Sequence, residues 1–313
     1  MEQIPVYLVT GFLESGKTSF VKDILTDYGF TMGEKNLLIV CEEGIEEYEY
    51  NILSDSNTVM VTVEDEEDFT KEFLINIVKK HKPDKIILEY NGMWDLQELF
   101  NNKLPDELVI AQIITTIDSS TYNVYMSNMG AMIVNQYRQS DLVIFNRCNE
   151  NTKKLALRAS VKTINSQANV IFENENGEIE ETAGQMPFDI NSDIVEPADY
   201  DFGIFFEDLM SNPDKYEGKT VRLRLKAYNP ERYPGICCVL GRDAMTCCAD
   251  DISQLGLIAR FKNDVILKHN DWVEITADIH KTMLEQYNQE IPVLYTKDIR
   301  KIDKLKEELV YFY

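Results

Sequence analysis

Gly11-Phe12-Leu13-Glu14-Ser15-Gly16-Lys17-Thr18 decides the fold of this chain. The run fits G-x-x-x-x-G-K-[ST]. In that pattern glycines let backbone N–H groups close around phosphate oxygens, the lysine reaches the β- and γ-phosphates, and the hydroxyl binds Mg²⁺. The flanks agree. Ile4-Pro5-Val6-Tyr7-Leu8-Val9 is an apolar run expected as a buried strand leading in, and Ser19 to Tyr28 sets Phe20, Val21, Ile24 and Leu25 on one helical face. A phosphate would then lie at a helix N-terminus, where free N–H groups and the helix dipole favour an anion. Gly11, Glu14, Ser15, Gly16, Lys17, Thr18 and Ser19 are therefore the candidate phosphate-binding residues.

With 313 residues the chain can form one large or two ordinary domains. Its formal net charge of −23 argues against generic nucleic-acid or anionic-membrane binding, since both need a basic face. No stretch approaches the roughly 20 apolar residues that span a bilayer. The N-terminus lacks a basic n-region, so a cytoplasmic protein is expected. Six cysteines in a chain of this size are expected as thiols or metal ligands, not as a disulfide framework.

Apolar runs alternate with helical patterns through the first half. Expected strands are Ile4–Thr10, Asn36–Cys41, Thr58–Val63, Lys85–Tyr90, Val109–Ile117, Leu142–Asn146 and Asn169–Phe172. Helices are expected over Asp68–His81 and Asn151–Ser166. Such alternation predicts βαβ units and a mostly parallel sheet in an α/β fold. The rhythm breaks in the acidic, Gly- and Pro-containing stretch Glu173–Asp201, which reads as a linker with room for a hairpin or terminal strand. Beyond it come a short helix at Phe202–Met210 and five strand-like segments: Thr220–Tyr228, Ile236–Leu240, Leu257–Phe261, Trp272–His280 and Val293–Ile302. Five short strands suit a small OB-like barrel. Lys304–Tyr313 reads as a short helix or tail. The expected domains are residues 1–190 and 191–313.

A P-loop needs an acidic partner for Mg²⁺. Glu89 ends the run Ile86-Ile87-Leu88-Glu89, and Gly92 lets the next loop approach a γ-phosphate. Glu42 and Glu43 end the second strand and are further candidates. Guanine-specific P-loop proteins read the base with N-K-x-D after a late strand, and Leu142-Val143-Ile144-Phe145 leads here into Asn146-Arg147-Cys148-Asn149. Asn149 offers a carbonyl acceptor and an amide donor where a carboxylate would offer only acceptors, so base discrimination should weaken.

These motifs carry a resemblance. Gly11–Thr18 is similar to the GFLGSGKT loop of CobW-type GTPases, relatives of HypB and UreG. Ile39-Val40-Cys41-Glu42-Glu43-Gly44 resembles their N-E-x-G segment, and Glu89-Tyr90-Asn91-Gly92 matches E-x-x-G. Gln136 to Asn149 resembles Q-I-x-x-A-D-x-I-x-x-N-K-x-D. The resemblance spans about residues 1–190. It implies GTP/GDP and Mg²⁺ binding, slow hydrolysis, and a role in metal (zinc) delivery or homeostasis. It places Lys17 and Thr18 on phosphate and Mg²⁺, Glu42 and Glu89 among the switch or metal-facing acids, with Lys17 and Glu89 as catalytic groups, and Asn146, Arg147 and Asn149 around the base. Two departures stand out. The family's C-x-C-C motif is missing between the second strand and Asp68–His81, and Glu14 replaces a loop glycine.

Cys237-Cys238 and Cys247-Cys248 can be combined into a four-thiolate Zn²⁺ site. Neighbouring residues on a strand point to opposite faces, however, so one cysteine from each pair with Asp250, Asp251, His269 or His280 is the more economical set. A small buried thiol in a core is the plainer alternative. Gly241–Asp251 with Tyr216-Glu217-Gly218-Lys219 resembles the C-terminal domain of YcgQ-like bacterial proteins, which accompany a permease, and marks Cys247 and Cys248 as the favoured pair. The leading expectation is a GTP-dependent metallochaperone with a metal-receiving client or permease-associated partner. Competing expectations are an ATP-using P-loop enzyme or kinase, and a nucleotide-regulated binding module acting through the OB-like domain. Arg222, Arg224, Lys226, Tyr228, Arg232 and Tyr233 hint at a nucleic-acid face there, although a solvated face explains them more simply.

Overall fold

The computed structural model describes residues 3–31, 33–42, 44–180, 186–232, 235–245, 252–284 and 289–312. The chain forms two compact units. Met1–Thr152 and Asn165–Thr182 make the first, and Lys153–Ile164 and Ala183–Tyr313 the second.

The first unit is built on eight strands: β1 (Ile4–Thr10), β2 (Asn36–Val40), β3 (Thr58–Thr62), β4 (Lys85–Glu89), β5 (Leu108–Asp118), β6 (Leu142–Cys148), β7 (Asn169–Asn174) and β8 (Ile179–Glu180). Their order is β3-β2-β4-β1-β5-β6-β7-β8. β1 to β7 run parallel, and β8 returns antiparallel on β7. β2 and β4 are buried at every residue, as expected where both faces of a parallel sheet are covered. Because strands in such sheets share a direction, the turns after β1, β4, β5 and β6 gather at one sheet edge, where ligands of this architecture bind.

Local chemistry starts and stops the helices. Thr70 accepts the Phe73 N–H at 3.1 Å to cap the helix Lys71–His81, and Lys82 closes it in the left-handed region. The sequence did not announce the helix Tyr122–Arg138. It buries Tyr122, Met126, Gly130, Ile133, Val134 and Tyr137 at helical spacing, and non-helical angles at Met129 interrupt it.

The second unit contains β9 (Thr220–Tyr228), β10 (Gly235–Met245), β11 (Ile252–Val265), β12 (Trp272–Leu284), β13 (Gln289–Lys301) and β14 (Leu309–Val310). The order β11-β13-β12-β9-β10 closes through a β10–β11 pairing. β11 and β13 are parallel, and the other four barrel pairings are antiparallel. This is a closed five-stranded barrel of the OB-like kind. Alternate residues such as Leu223, Leu225, Leu240, Leu257, Ile275 and Leu294 fill it, joined by Phe205 and Tyr216. The helix Phe202–Ser211 appears where expected, and Ala159 of Lys154–Ile164 joins the same core.

Of the two expectations for the stretch from Lys304, a helix is not formed among the described residues. Leu309 and Val310 pair in parallel with Asp243 and Ala244 of β10. Arg242 explains this. Its side chain, 1% exposed, donates to the carbonyls of Glu307 (2.7 Å) and Glu308 (3.3 Å), pairs with Asp199, and packs its guanidinium over Trp272. A buried guanidinium needs such partners, and the terminal backbone supplies them. Among the described residues no helix is long and apolar enough to cross a membrane.

Candidate functional site

The loop after β1 takes the shape its glycines permit. Gly11 and Gly16 have φ of 144° and 95°, and Glu14 also enters the left-handed region at 61°. A Cβ on Gly11 would collide with Ser15 Oγ and the Thr116 carbonyl, and one on Gly16 with Asn146 Nδ2. Gly92 matters equally: a Cβ there would overlap the Gly11 carbonyl. The helix Lys17–Thr26 follows with no side-chain cap at Gly16 and no acidic residue in its first turn. Its N-terminal N–H groups and dipole are thus left to attract an anion.

Side chains from the end of β4 and from the segment after β2 meet this helix. Thr18 Oγ1 donates to Glu89 Oε1 at 2.8 Å, and the Tyr48 hydroxyl donates to Glu89 Oε2. Burial pushes the Glu89 carboxyl above its ordinary range, against the hydrogen bonds from Tyr48 and Thr18. Lys17 is 3% exposed; its ammonium donates to the carbonyls of Gly11 (2.8 Å) and Phe12 (2.9 Å) and pairs with Glu42. Ser19 Oγ donates to Glu46 Oε2 at 2.6 Å, and Lys22 pairs with Glu46 and Glu49. A cavity of about 220 Å³ runs over Lys17, Thr18, Ser19, Glu42, Glu46 and Glu89. Glu43 lies outside the described residues.

The C-terminal end of β6 also holds the P-loop. Asn146 Nδ2 donates to the Ser15 carbonyl at 2.7 Å. Arg147 Nη1 donates to the Glu14 carbonyl at 2.9 Å and pairs with Asp118 at 2.7 Å. Burial would raise the Asp118 carboxyl, but the Ser120 and Arg147 hydrogen bonds win and hold it below its ordinary range. Asn146 and Arg147 thus act on the P-loop backbone. Asn149 is exposed, and its Oδ1 accepts the Asn151 N–H at 2.9 Å in a local turn. Glu14 projects into solvent at the rim, its carbonyl being the atom the site uses. Sequence reasoning missed Tyr48, Asp118 and Gln136, whose Nε2 donates to the Gly92 carbonyl at 2.8 Å. Only the last sits in a motif.

The residues present fit a Mg²⁺-bound nucleotide. Thr18 and Glu89 bring hard oxygen donors together at the N-terminus of an uncapped helix, beside a buried lysine. Among the described residues a zinc centre finds no comparable support. Cys238 is buried in the barrel opposite Ala259, its thiol donating to the Val239 carbonyl (3.3 Å) and pushed up to about 11 by burial, whereas Cys237 faces outward opposite Arg260. The two cannot share one ion, and Cys238 takes the part of a core thiol. His269 accepts the Asn229 N–H, and His280 pairs with Glu217. Among the described residues no three His, Cys, Asp or Glu gather as a metal site. Cys247, Cys248, Asp250 and Asp251 lie outside the described residues.

Two family models match the chain. The model of the CobW/HypB/UreG nucleotide-binding domain matches residues 5–172, more than half of the chain. That of the DUF1980 C-terminal domain matches residues 173–312. A solved structure of Zn(II)-bound YjiA GTPase from E. coli is similar at 18% identity and a TM-score of 0.43, covering 74% of this chain and 76% of that one. Hydrogenase maturation factor HypB from Archaeoglobus fulgidus is similar at 13% identity and a TM-score of 0.39, covering 56% and 84%. No curated protein matches the chain.

Proposed function

The chain belongs to the CobW/HypB/UreG nucleotide-binding family, and on that premise we propose that it is a GTP- and GDP-binding, Mg²⁺-dependent, slowly hydrolysing switch that serves the handling of a transition metal ion. The observation that carries this reading is the pairing of Thr18 with Glu89 beside Lys17 at the start of an uncapped helix. Main-chain N–H groups of the loop and of the helix Lys17–Thr26 would bind the phosphates. The Lys17 ammonium would neutralise the terminal ones, and Thr18 and Glu89 would hold the metal. Bound Mg²⁺ supplies charge neutralisation of the phosphates and polarises them. Gln136, by fixing the Gly92 carbonyl, keeps the turn after β4 against the P-loop. Asn146 and Arg147 keep the loop in register from behind.

The family's metallochaperone role supports a metal ion as cargo and a receiving client. That part leans on membership alone, because the C-x-C-C motif is missing and Cys237 and Cys238 face opposite ways. Titration of the purified chain with fluorescently labelled GTP and GDP tests the nucleotide reading. Saturable binding that Lys17→Ala weakens at least tenfold is expected; absence of binding at high micromolar nucleotide sinks it. Competition by ATP tests the reading as an ATP-using enzyme.

A further inference from the structure

Lys17, Ser19 and Glu89, three groups that a nucleotide phosphate or its Mg²⁺ would engage, are also held by Glu42 and the acidic stretch that follows it. Glu42 pairs with the Lys17 ammonium. Tyr48 donates to Glu89 Oε2, so both oxygens of that carboxylate are engaged, the other by Thr18. Glu46 accepts from Ser19 and pairs with Lys22, which also reaches Glu49. These contacts run along the first turns of the phosphate-binding helix. They join it to a stretch between β2 and the helix Tyr50–Asp55 that lacks regular structure of its own over Gly44–Glu49. Carboxylates near a helix N-terminus are themselves favoured by the dipole, as a phosphate would be. The stretch therefore offers the site the same chemistry as its ligand: anionic oxygens on Lys17 and Ser19, and a hydroxyl on the metal-facing carboxylate.

We infer that Glu42 and the stretch Gly44–Glu49 form an intramolecular latch that competes with nucleotide phosphates and Mg²⁺ for Lys17, Ser19 and Glu89, so that ligand binding and release of the latch are coupled. The inference rests on the nucleotide reading given above. Glu46, Tyr48 and Glu49 are the parts that can be altered without touching the phosphate loop. Thermodynamically the apparent dissociation constant is the intrinsic one divided by the fraction of molecules in which the latch is open. Removing a charge-assisted hydrogen bond or a pair of partly exposed ion pairs shifts that fraction by about three- to tenfold.

The test compares wild type with Tyr48→Phe and with Glu46→Gln/Glu49→Gln in titrations with labelled GDP and Mg²⁺, together with hydrogen exchange of the amides of residues 44–49. Both variants are expected to bind about three- to tenfold more tightly, mainly through faster association. In wild type these amides should exchange faster once GDP and Mg²⁺ are added; in the variants they should exchange fast beforehand. Affinity within twofold of wild type, weaker binding, or slowed exchange on nucleotide addition in wild type would overturn the latch and leave the nucleotide reading standing. If wild type and both variants bind no nucleotide, both readings fall.

Discussion

Gly16→Ala measures how closely the end of β6 constrains the P-loop. Gly16 sits at φ 95°, and a Cβ there would collide with Asn146 Nδ2, the atom that donates to the Ser15 carbonyl at 2.7 Å. Holding an L-residue in the left-handed region costs about 1–2 kcal/mol. Displacing Asn146 forfeits a hydrogen bond of about 0.5–1.5 kcal/mol. The smaller entropy of the unfolded alanine chain returns about 0.4–1 kcal/mol. The net expectation is a loss of about 2 kcal/mol on the balance of these terms. Asn146→Ala alone should cost about 1 kcal/mol, for the hydrogen bond only. The double variant should then cost about 1 kcal/mol less than the two singles together, because with Asn146 truncated the alanine meets no clash and only the backbone strain is added.

The two tryptophans, Trp94 and Trp272, fall one in each unit. Urea unfolding followed by Trp94 fluorescence in a Trp272→Phe background therefore reads the first unit. Additivity of the two substitutions within about 0.5 kcal/mol would refute the claim that Asn146 dictates glycine at position 16.

Three further outcomes follow from particular contacts. Arg147→Ala removes the donor to the Glu14 carbonyl and the partner of Asp118, and should weaken nucleotide binding about three- to tenfold, mainly through faster dissociation seen by stopped flow. Burial raises the Glu89 carboxyl, so the folded chain holds that proton more tightly than the unfolded one; the associated stability is present at low pH and lost as pH rises through the raised value. Because only the carboxylate binds metal, Mg²⁺-dependent nucleotide affinity should fall on acidification at a pH above the ordinary glutamate range of about 4.3, a dependence that Glu89→Gln abolishes. Arg242→Met strips the terminal carbonyls of their buried donor and should destabilise the barrel by roughly 3 kcal/mol in unfolding followed by Trp272 fluorescence.

The sequence disclosed those parts of the site whose chemistry is local. Eight consecutive residues specify the phosphate loop, and a buried apolar run ending in Glu89 is a short-range signal. Apolar runs gave the seven parallel strands to within two residues at each end. The barrel was harder to read. β10 extends well past its apolar core, where Arg242 and Asp243 find partners in Asp199, Lys226 and Tyr228 that are remote in sequence, and β11 pairs along that extension. The helix Tyr122–Arg138 hid behind Gly130 and the irregular Met129, though its buried residues keep helical spacing. Tyr48 meets Glu89 across 41 residues, and no periodicity encodes that encounter. Asn149 fitted the base-reading motif by position, yet its carbonyl serves a local turn, a matter of hydrogen-bond competition visible only in three dimensions.

On the proposed reading, Thr18 and Glu89 hold the metal of a phosphate bound at Gly11–Thr18. Titration of GTP with and without Mg²⁺, on wild type and on Thr18→Ala, tests it most directly. Mg²⁺ should tighten binding to wild type at least tenfold and change binding to Thr18→Ala by less than twofold. An equal Mg²⁺ effect on both proteins would contradict the account.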